Sequence, residues 1–446
     1  MSHDGWASLS AEQRYEVRAA AWSGGDGIEF ASPEVATAYK ERVALLRDAV
    51  ELRRPARVPI APLMGLFPAR YGGCTAGEAY SDRRKLAEAM RRFHEEFMPD
   101  TLQSCMTMIP GEVFEVLDYR MYRWPGHGTG DDVSYQYVEA EYMQADEYAE
   151  FIDDPSAFWM RRFLPRVFGA LEPLRDLGAP GDLLEIVSAA PSLAYFGRPD
   201  VQRMLRRLMA AGRAALSWLE DVIAIDGDIA ASLGIPDFAG GFCLAPYDML
   251  ADTMRGTRAA MLDGFRRPQE VATAVERLVP VAIEAGVSSA AESGNPFVFM
   301  PLHKGADGFM SDRDFRSIYW PSLKAVMLGL IAEGLVPQLF VEGSFNSRLD
   351  VIVDEDLPAG RTVWLFDDTD MPAVRDRLRG FACFGGNVSG ALLATGAPGD
   401  VDVYVGELLA AVAGDGGFLL STGTIVDEAP AENVKALMEA GRRYGG

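Results

Sequence analysis

The sequence predicts an α/β protein whose core is a (β/α)8 TIM barrel, distorted by an inserted β-hairpin and by extra helices. Three observations support this fold class. Apolar strands alternate with helices through the C-terminal half, the strand candidates number eight, and several strands end abruptly in glycine and ionisable residues. Parallel α/β proteins bind their ligands at the edge of the sheet where the strands end in this way.

The C-terminal half shows the alternation most clearly. Its strand candidates are Phe297–Leu302, 336–342, 362–367, 381–386 and 417–422, and the intervening helices are expected at about 312–333, 371–380, 400–414 and 430–443. Strands that are apolar throughout are typical of a parallel sheet covered on both faces. Ser311 can cap the first of these helices and Gly334 can end it.

The N-terminal half adds three strand candidates, 58–63, 103–108 and 184–189, which bring the total to eight. Residues 113–143 interrupt the alternation with two predicted antiparallel strands joined by the glycine-rich turn PGHGTGDD, an excursion typical of a lid or pocket wall. A long helical region, broken at 178–182, is expected from about 145 to 235. We therefore predict an N-terminal helical extension over 1–54 and a barrel over 55–446, with a lid-like insertion at about 110–182.

Composition excludes several classes of protein. The chain has 446 residues, 49% of them hydrophobic, and a formal net charge of −23, which disfavours non-specific binding to nucleic acids or anionic membranes. Its four cysteines are widely spaced, so a disulfide framework or structural zinc cluster is not expected. With no secretory signal and no apolar run of about 18 residues, the sequence predicts a cytoplasmic protein.

Two consecutive strand ends carry the strongest candidates for catalysis. His303 and Lys304 follow Phe297–Leu302 directly, and Glu342 ends the next strand candidate. A histidine at such a position suits a general acid or base, and a carboxylate can bind a hard metal, orient a cationic substrate or act as a base. The structural alternatives are a histidine that caps a loop and a salt bridge between Glu342 and Arg348.

Asp367 is the fourth catalytic candidate. It begins a group of three carboxylates with Asp368 and Asp370, and together with His303 and Glu342 it would offer oxygen and nitrogen ligands to a divalent metal. The alternative is that one or more of these aspartates cap the helix that follows.

A third set of residues is predicted to bind and orient the substrate. Arg70 could hold a carboxylate through two hydrogen bonds. His127 lies between two glycines at the tip of the predicted hairpin, although a histidine in a turn is often merely exposed. The full set is Arg70, Tyr71, His127, Arg348, Asn387, Thr422 and Thr424.

Four longer segments carry a family resemblance. The segments RPARVPIAPLMG, MRGTRAAMLDGFRRPQEV, GGNVSGALLATGAPGDV and GGFLLSTGTIVDEAPAENVKALMEAGRRYG resemble the uroporphyrinogen decarboxylase superfamily, which also contains corrinoid- and coenzyme-M-linked methyltransferases. The resemblance extends over about residues 55–445. It implies a distorted TIM barrel with its site at the carboxyl ends of the strands.

The chain departs from both branches of that superfamily at the residues that define their chemistry. Only Arg70 and Tyr71 match the end of the arginine-rich motif of the decarboxylases, and the position of their aspartate falls near Thr107. The zinc ligands of the methyltransferases, a His-x-Cys pair and a later cysteine, correspond to Phe340, Glu342 and Thr424. The resemblance therefore implies a divergent member that lacks the decarboxylase set and the thiolate-zinc set.

From the resemblance we expect an enzyme that transfers a one-carbon (methyl) unit on a small organic substrate. The expected partner is a protein that carries a corrinoid, and a divalent metal is a further expectation. Relatives of this kind are often homodimers. Two alternatives remain open, a decarboxylase or lyase for a small carboxylic acid, and a catalytically degenerate barrel that serves as a binding subunit.

Overall fold

A computed structural model describes residues 3–446, and the side chains of that range except those of residues 3, 4 and 292. Its strands form two sheets. A small sheet contains β1 (Tyr122–Pro125), β2 (Gly128–Thr129) and β3 (Gln136–Tyr137). The central sheet contains, in spatial and chain order, β4 (Gly241–Phe242), β5 (Phe297–Leu302), β6 (Val336–Val341), β7 (Val363–Phe366), β8 (Cys383–Val388) and β9 (Phe418–Thr422), all of them parallel.

Two extended segments close this sheet into a barrel. Ile60 forms a parallel bridge with Leu420 of β9, and the Asp100 amide donates to the Ile60 carbonyl over 2.9 Å. The Leu102 amide in turn donates to the carbonyl of Pro236, just before β4, over 2.8 Å. Eight parallel positions therefore surround the axis, which confirms the predicted distorted TIM barrel.

The five C-terminal strands are confirmed within one or two residues, whereas two of the three N-terminal candidates are wrong. Residues 103–108 include the 3₁₀ turn Cys105–Thr107, and 184–189 overlap the helix Ile186–Leu193. The third barrel strand is instead β4, which has only two residues. Short apolar runs do not show whether they are strand or helix, because periodicity needs more residues to appear.

Helices surround the barrel. Before β4, the α-helices are His3–Ala7, Ala11–Gly24, Pro33–Val50, Phe67–Tyr71, Ala76–Ser81, Arg83–Phe97, Gly111–Leu117, Tyr148–Asp153, Pro155–Phe158, Leu164–Val167, Ile186–Leu193 and Pro199–Leu233. After β4, they are Pro246–Asp248, Thr257–Arg266, Pro268–Ser293, Asp312–Asp314, Trp320–Ala332, Leu349–Ile352, Met371–Leu378, Gly390–Thr395, Pro398–Val412 and Ala431–Tyr444. Three π-helical segments, Trp159–Phe163, Met249–Met254 and Phe315–Tyr319, join or extend them, and further 3₁₀ turns are Gly169–Asp176, Pro180–Leu183 and Ala194–Gly197. None of the helices described in residues 3–446 is long and apolar enough to cross a membrane.

The helix boundaries in the C-terminal half follow the predicted signals. The Ser311 hydroxyl accepts a hydrogen bond from the Asp314 amide over 3.1 Å, and Gly334 adopts a left-handed φ of 72° where the chain leaves the helix Trp320–Ala332. β6, β7 and β9 are buried at every residue, because helices cover one face and the barrel interior covers the other.

The insertion is only partly a hairpin. β1 pairs antiparallel with β3, as predicted, but residues before β1 form the helix Gly111–Leu117 instead of a strand. The Val113 amide bonds to the Pro110 carbonyl at the start of this helix, and Asp118, with a left-handed φ of 54°, ends it. Local capping thus overrides the apolar alternation. The proposed division of the chain at residues 54 and 55 stays a prediction.

Candidate active site

Asp252 holds both cations that follow β5. His303 Nδ1 lies 2.6 Å from Asp252 Oδ2, and Lys304 Nζ lies 2.7 Å from Asp252 Oδ1. Asp252 belongs to the π-helical segment Met249–Met254, which directly follows the helix after β4. Adjacent barrel strands therefore supply the two halves of one ion pair at the carboxyl end of the sheet.

Asp248 anchors the backbone of the same cations. Its side chain is fully buried and accepts hydrogen bonds from the amides of His303 and Lys304, each over 3.0 Å, and from the Tyr319 hydroxyl over 2.9 Å. Asp248 and Asp252 are four residues apart, so they project from the same side of their helical segment. One aspartate fixes the loop and the other fixes the side chains.

Glu342 lies on the opposite side of the imidazole. Its Oε1 is 3.7 Å from His303 Nε2, beyond hydrogen-bond distance, and 46% of its side chain is exposed. Asp367, at the end of β7, accepts a hydrogen bond from the Gly343 amide over 3.2 Å. Three adjacent strands, β5, β6 and β7, therefore bring His303, Glu342 and Asp367 to one edge.

These neighbours shift the proton affinities of the group. Burial alone would lower the pKa of His303, but the hydrogen bond to Asp252 and the charges of Asp248 and Glu342 outweigh it and raise that pKa to about 9. Burial raises the pKa of Asp248, and the charge of Asp252 adds to the effect. Burial likewise raises the pKa of Asp252, but His303 and Lys304 reverse this and hold it below its usual range.

The pKa values of the two strand-end carboxylates, Glu342 and Asp367, are both raised. Burial raises the pKa of Glu342, against the opposing charge of His303. Burial also raises the pKa of Asp367, against its hydrogen bond from Gly343. At neutral pH the imidazole is thus a cation that can give up a proton, surrounded by carboxylates.

Tyrosines of the insertion lie beside the segment that carries Asp252. The Tyr137 hydroxyl donates a hydrogen bond to the backbone carbonyl of Asp252, and the Tyr122 ring lies 5.4 Å from the Tyr137 ring and 5.6 Å from that of Tyr135. Burial raises the pKa of Tyr135, and the charges of Asp427 and Glu342 add to the effect. The small sheet therefore forms one wall of the barrel mouth.

Arg348 supports the loop after β5 from below. It is buried, and its guanidinium donates to the carbonyls of Gly305 and Met310 and pairs with Asp307 at 3.4 Å and Asp312 at 3.2 Å. The structure packs it, from the segment after β6, against the loop that follows His303, and not in an ion pair with Glu342. These contacts stabilise the loop that follows His303.

Arg70 and Tyr71 lie apart from each other although they are adjacent in sequence. Arg70 Nη2 donates to the Asp132 carbonyl over 2.5 Å, and its Nη1 lies 3.4 Å from Glu428. This arginine thus links the insertion to the loop after β9. The Tyr71 hydroxyl instead donates to Glu96, at the end of the helix Arg83–Phe97.

His127 packs on the hairpin itself. Its ring stacks on Trp124 with centroids 4.2 Å apart, and the two residues exchange backbone hydrogen bonds. The structure brings His127 into this turn and does not show a contact with His303 among the described side chains.

The three remaining candidates, Asn387, Thr422 and Thr424, lie in or just after the last two strands. Asn387 donates to the Thr369 carbonyl over 3.1 Å and accepts from the Tyr404 hydroxyl over 2.7 Å. Thr422 is fully buried, and its hydroxyl accepts from the Leu63 amide over 3.0 Å, which helps to close the barrel. Thr424 is partly exposed and faces Gly390.

The predicted metal ligands do not form a coordination group. Within the described part of the chain, no three His, Cys, Asp or Glu side chains are arranged to hold a metal. His303 Nδ1 is occupied by Asp252 and Asp367 by Gly343. The four cysteines are all buried, and burial raises the pKa of Cys243 to about 12, so this thiol is not a ready thiolate. We assign no chemical step to a metal.

Sequence patterns do not reveal Asp248, Asp252, Tyr319, Tyr135 and Tyr137. A signal for the aspartates was present, since Asp248 and Asp252 follow the apolar run GFCLAP at the spacing of one helical turn. It could be recognised only with β4 as the third strand. The tyrosines carried no local signal, because alternation in a short strand does not show which face meets the barrel.

Comparisons with known proteins agree with this architecture. Residues 238–444 match the family model described as uroporphyrinogen decarboxylase (URO-D). Among solved structures, a methyltransferase from Methanosarcina mazei superposes with a TM-score of 0.59 at 14% sequence identity, covering 91% of this chain and 98% of that one. At this identity the likeness concerns the fold alone. A comparison with curated proteins finds no match. Residues 238–444 are thus similar to uroporphyrinogen decarboxylase, and the chain shares its fold with a methyltransferase.

Proposed function

We propose that this protein is an enzyme that transfers a methyl group from a small methylated substrate, at the mouth of its barrel, to a corrinoid carried by a partner protein. The family match and the fold shared with a methyltransferase support this class of reaction. The reaction uses no thiolate-zinc site, since Phe340, Glu342 and Thr424 stand where the zinc ligands of such relatives are expected.

The observation that carries the proposal is the protonated imidazole of His303. Its pKa of about 9 keeps it charged at neutral pH, and Nε2 points toward Glu342 at 3.7 Å without forming a close hydrogen bond. A proton donor that is charged, held from behind by Asp252 and free at its outer nitrogen is what a leaving oxygen or nitrogen needs.

The transfer of one methyl group consumes one proton, which the leaving heteroatom takes up. The bond between the methyl carbon and the substrate heteroatom breaks while a new bond to the acceptor forms, and the heteroatom keeps the electron pair of the broken bond. His303 Nε2 donates its proton to that heteroatom, and Asp252 stabilises the histidine in both protonation states. Solvent then restores the proton to the imidazole. The reduced corrinoid of the partner protein would supply the nucleophile and accept the methyl group.

Glu342 and Tyr135 have the exposure that a substrate contact needs. The Glu342 side chain is 46% exposed and Tyr135 is 50% exposed, so both remain accessible from solvent at the mouth. Glu342 orients the leaving group and the tyrosine ring covers the methyl group. Lys304, held by Asp252 and lying 5.1 Å from the Phe309 ring centroid, keeps the loop charge balanced instead of reacting.

The test is methyl transfer to cob(I)alamin, followed by the loss of its absorbance, with a panel of methoxylated compounds and methylamines. We expect the full-length protein to demethylate at least one compound, and His303→Gln to lower that rate by about 100-fold or more, as for the loss of a general acid. His127→Gln, a histidine stacked on Trp124, is the matched control and should retain the rate. Absence of any transfer across the panel would reject the proposal.

Decarboxylation or a lyase reaction on a small carboxylic acid is the second candidate. The same charged His303 favours it, because an imidazolium can protonate a carbanion as CO₂ leaves. The carboxylates of Asp252, Glu342 and Asp367 oppose it, since they would repel an anionic substrate. Release of CO₂ without corrinoid, abolished in His303→Gln, would favour this candidate over methyl transfer. A binding subunit would show neither reaction and would keep its ligand affinity in that variant.

A further inference from the structure

A cavity of about 560 Å³ that shares no residue with the barrel mouth opens beside the insertion. One wall is the 3₁₀ segment Gly169–Asp176, and the other is the start of the helix Pro199–Leu233. A buried apolar cluster fixes the two walls to each other, and its members are Leu171, Leu174, Val201 and Met204. The shape of the cavity is therefore set by packing of the fold.

The charged side chains that line this cavity carry an excess of positive charge. Three of them are acids, and four are arginines, namely Arg175, Arg198, Arg203 and Arg207. The whole chain has a formal net charge of −23, so this excess is local. A local positive field of this kind attracts an anion even to an acidic protein.

Two of the arginines take up all three acids. Arg198 Nη1 lies 2.9 Å from Asp176 Oδ2, and its Nη2 lies 2.8 Å from Asp200 Oδ2. Arg175 lies 3.4 Å from Glu172, one turn before it in the same segment. The carboxylates of the cavity are therefore occupied, and the excess of positive charge lies on the other two arginines.

Arg203 and Arg207 are exposed, and no carboxylate among the described residues forms an ion pair with either of them. They are four residues apart, so their side chains leave the same face of the helix about 6 Å apart along its axis. Like charges at this spacing repel each other. An anion bound between the two guanidinium groups would replace that repulsion with two attractive contacts.

Two neighbouring guanidinium groups favour a ligand with two negative charges. A phosphate monoester carries nearly two at neutral pH and presents three strong acceptor oxygens, which the planar guanidinium binds through paired hydrogen bonds. A cavity of about 560 Å³ is in the range that holds a small organic molecule, and it is much larger than a phosphate group alone. Ala170, Pro173 and Met204 provide apolar surface for the organic part.

We propose that this cavity binds a small soluble phosphate monoester. The phosphate group lies between Arg203 and Arg207, and the organic part lies against Pro173 and Met204. Arg198 holds the two walls at the spacing that the ligand requires, because it pairs with an acid from each of them. This site is distinct from the barrel mouth and does not depend on the reaction proposed there.

Isothermal titration calorimetry on the full-length protein tests the site with inorganic phosphate, adenosine 5′-monophosphate and glucose 6-phosphate. We expect at least one ester to bind with a dissociation constant below about 1 mM and more tightly than inorganic phosphate. Arg203→Gln and Arg207→Gln should each weaken binding by about tenfold or more, since each removes charge-assisted hydrogen bonds. The matched control is Arg206→Gln, an exposed arginine of the same helix that does not line the cavity, and it should stay within about twofold of the wild type.

Four outcomes would overturn the proposal. Absence of binding by both esters would reject the site. An equal loss in Arg206→Gln would mean that the overall charge of the helix attracts the anion. Succinate, a dianion without phosphate, would reject the phosphate class if it bound as tightly as the esters. Binding to phosphatidylcholine vesicles that contain phosphatidic acid, without binding to either free ester, would reject a soluble ligand.

Amide hydrogen exchange locates the bound ester independently of the variants. The ester that binds should slow exchange in Gly169–Asp176 and at the start of Pro199–Leu233, because both walls contact it. The helix Ala431–Tyr444, which lines no part of the cavity, should be unchanged. Protection confined to residues around His303 would place the ester in the barrel mouth and contradict the proposal. Circular dichroism should show that the three variants fold, since all three arginines are exposed.

Discussion

The imidazole of His303 and the carboxylate of Asp252 form the central pair of the barrel mouth, with Nδ1 and Oδ2 2.6 Å apart. Asp252 follows β4 and His303 follows β5, so the pair exists only because these strands are neighbours in the sheet. The second oxygen of Asp252 binds Lys304 at 2.7 Å. One carboxylate thus sets the charge and the orientation of both residues that emerge from β5.

Asp252→Asn should lower the pKa of His303 toward its ordinary value of about 6.5, because the amide supplies no negative charge. Titration of the His303 ring protons by NMR measures this directly. The methyl-transfer rate at pH 8 should fall as the neutral fraction of the imidazole grows. Asp368→Asn, at an exposed position after β7, is the control and should leave the titration unchanged. A His303 pKa that stays near 9 in Asp252→Asn would show that other groups hold the proton.

Both the methyl-transfer rate and the free energy of unfolding should fall at alkaline pH. His303 has a folded-state pKa of about 9, above its unfolded value, so its contribution to stability is complete below about pH 6.5 and is lost as pH rises through 9. A shift of this size corresponds to at most about 3 kcal/mol. In urea unfolding, the free energy of unfolding of the wild type should therefore exceed that of His303→Gln by most at pH 6 and by least at pH 10. A difference that grows with pH would contradict a raised pKa of His303 in the folded protein.

Asp248→Asn should destabilise the fold more than it changes the chemistry of the mouth. The fully buried carboxylate accepts from two backbone amides and from Tyr319, and an amide side chain cannot accept all three bonds. The loss should amount to about 1–3 kcal/mol in free energy of unfolding. Chemical denaturation measures it, with exposed Asp368→Asn expected within about 0.5 kcal/mol of wild type. Unchanged stability in Asp248→Asn would mean that the Asp248 carboxyl is already protonated in the folded protein and accepts fewer hydrogen bonds.

Tyr137→Phe should loosen the insertion over the barrel mouth. The variant removes the hydroxyl that binds the Asp252 carbonyl, at a cost of about 1 kcal/mol. Amide hydrogen exchange in β1 and β3 should become faster by about fivefold, and KM should rise more than kcat falls. Tyr195→Phe, which removes a similar bond to the Pro173 carbonyl far along the insertion, should leave exchange in these strands unchanged. If both variants behave alike, the contact with Asp252 does not position the small sheet.

The sequence indicated the residues of the mouth where the strand ends were long and apolar. His303, Glu342 and Asp367 each follow a fully developed strand, so their position at one edge could be predicted from parallel pairing alone. Asp248 and Asp252 follow a strand of only two residues and could not be assigned in the same way. Arg348 shows a further limit, since an arginine near a strand end can face a substrate or a neighbouring loop. Only the packing of the folded chain directs it to the loop after β5.

The insertion was likewise predictable only in part from the sequence. Its glycine-rich turn predicted a hairpin, and β1 and β3 do pair, but the cap at Asp118 turned the preceding segment into a helix. The contact of Tyr137 with Asp252 joins residues 115 positions apart. Such distant pairs leave no periodic trace in the chain.

The sequence alone determined the fold class, the C-terminal strands with their helices, and the strand-end positions of His303 and Glu342. Those features depend on local periodicity, on capping and on the shared edge of parallel strands. Tertiary structure decided which carboxylate holds the histidine, which face of the insertion covers the mouth and which arginine is buried. These depend on side chains brought together by barrel closure, since the free energy of a buried pair depends on its neighbours in space and not on its neighbours in the chain.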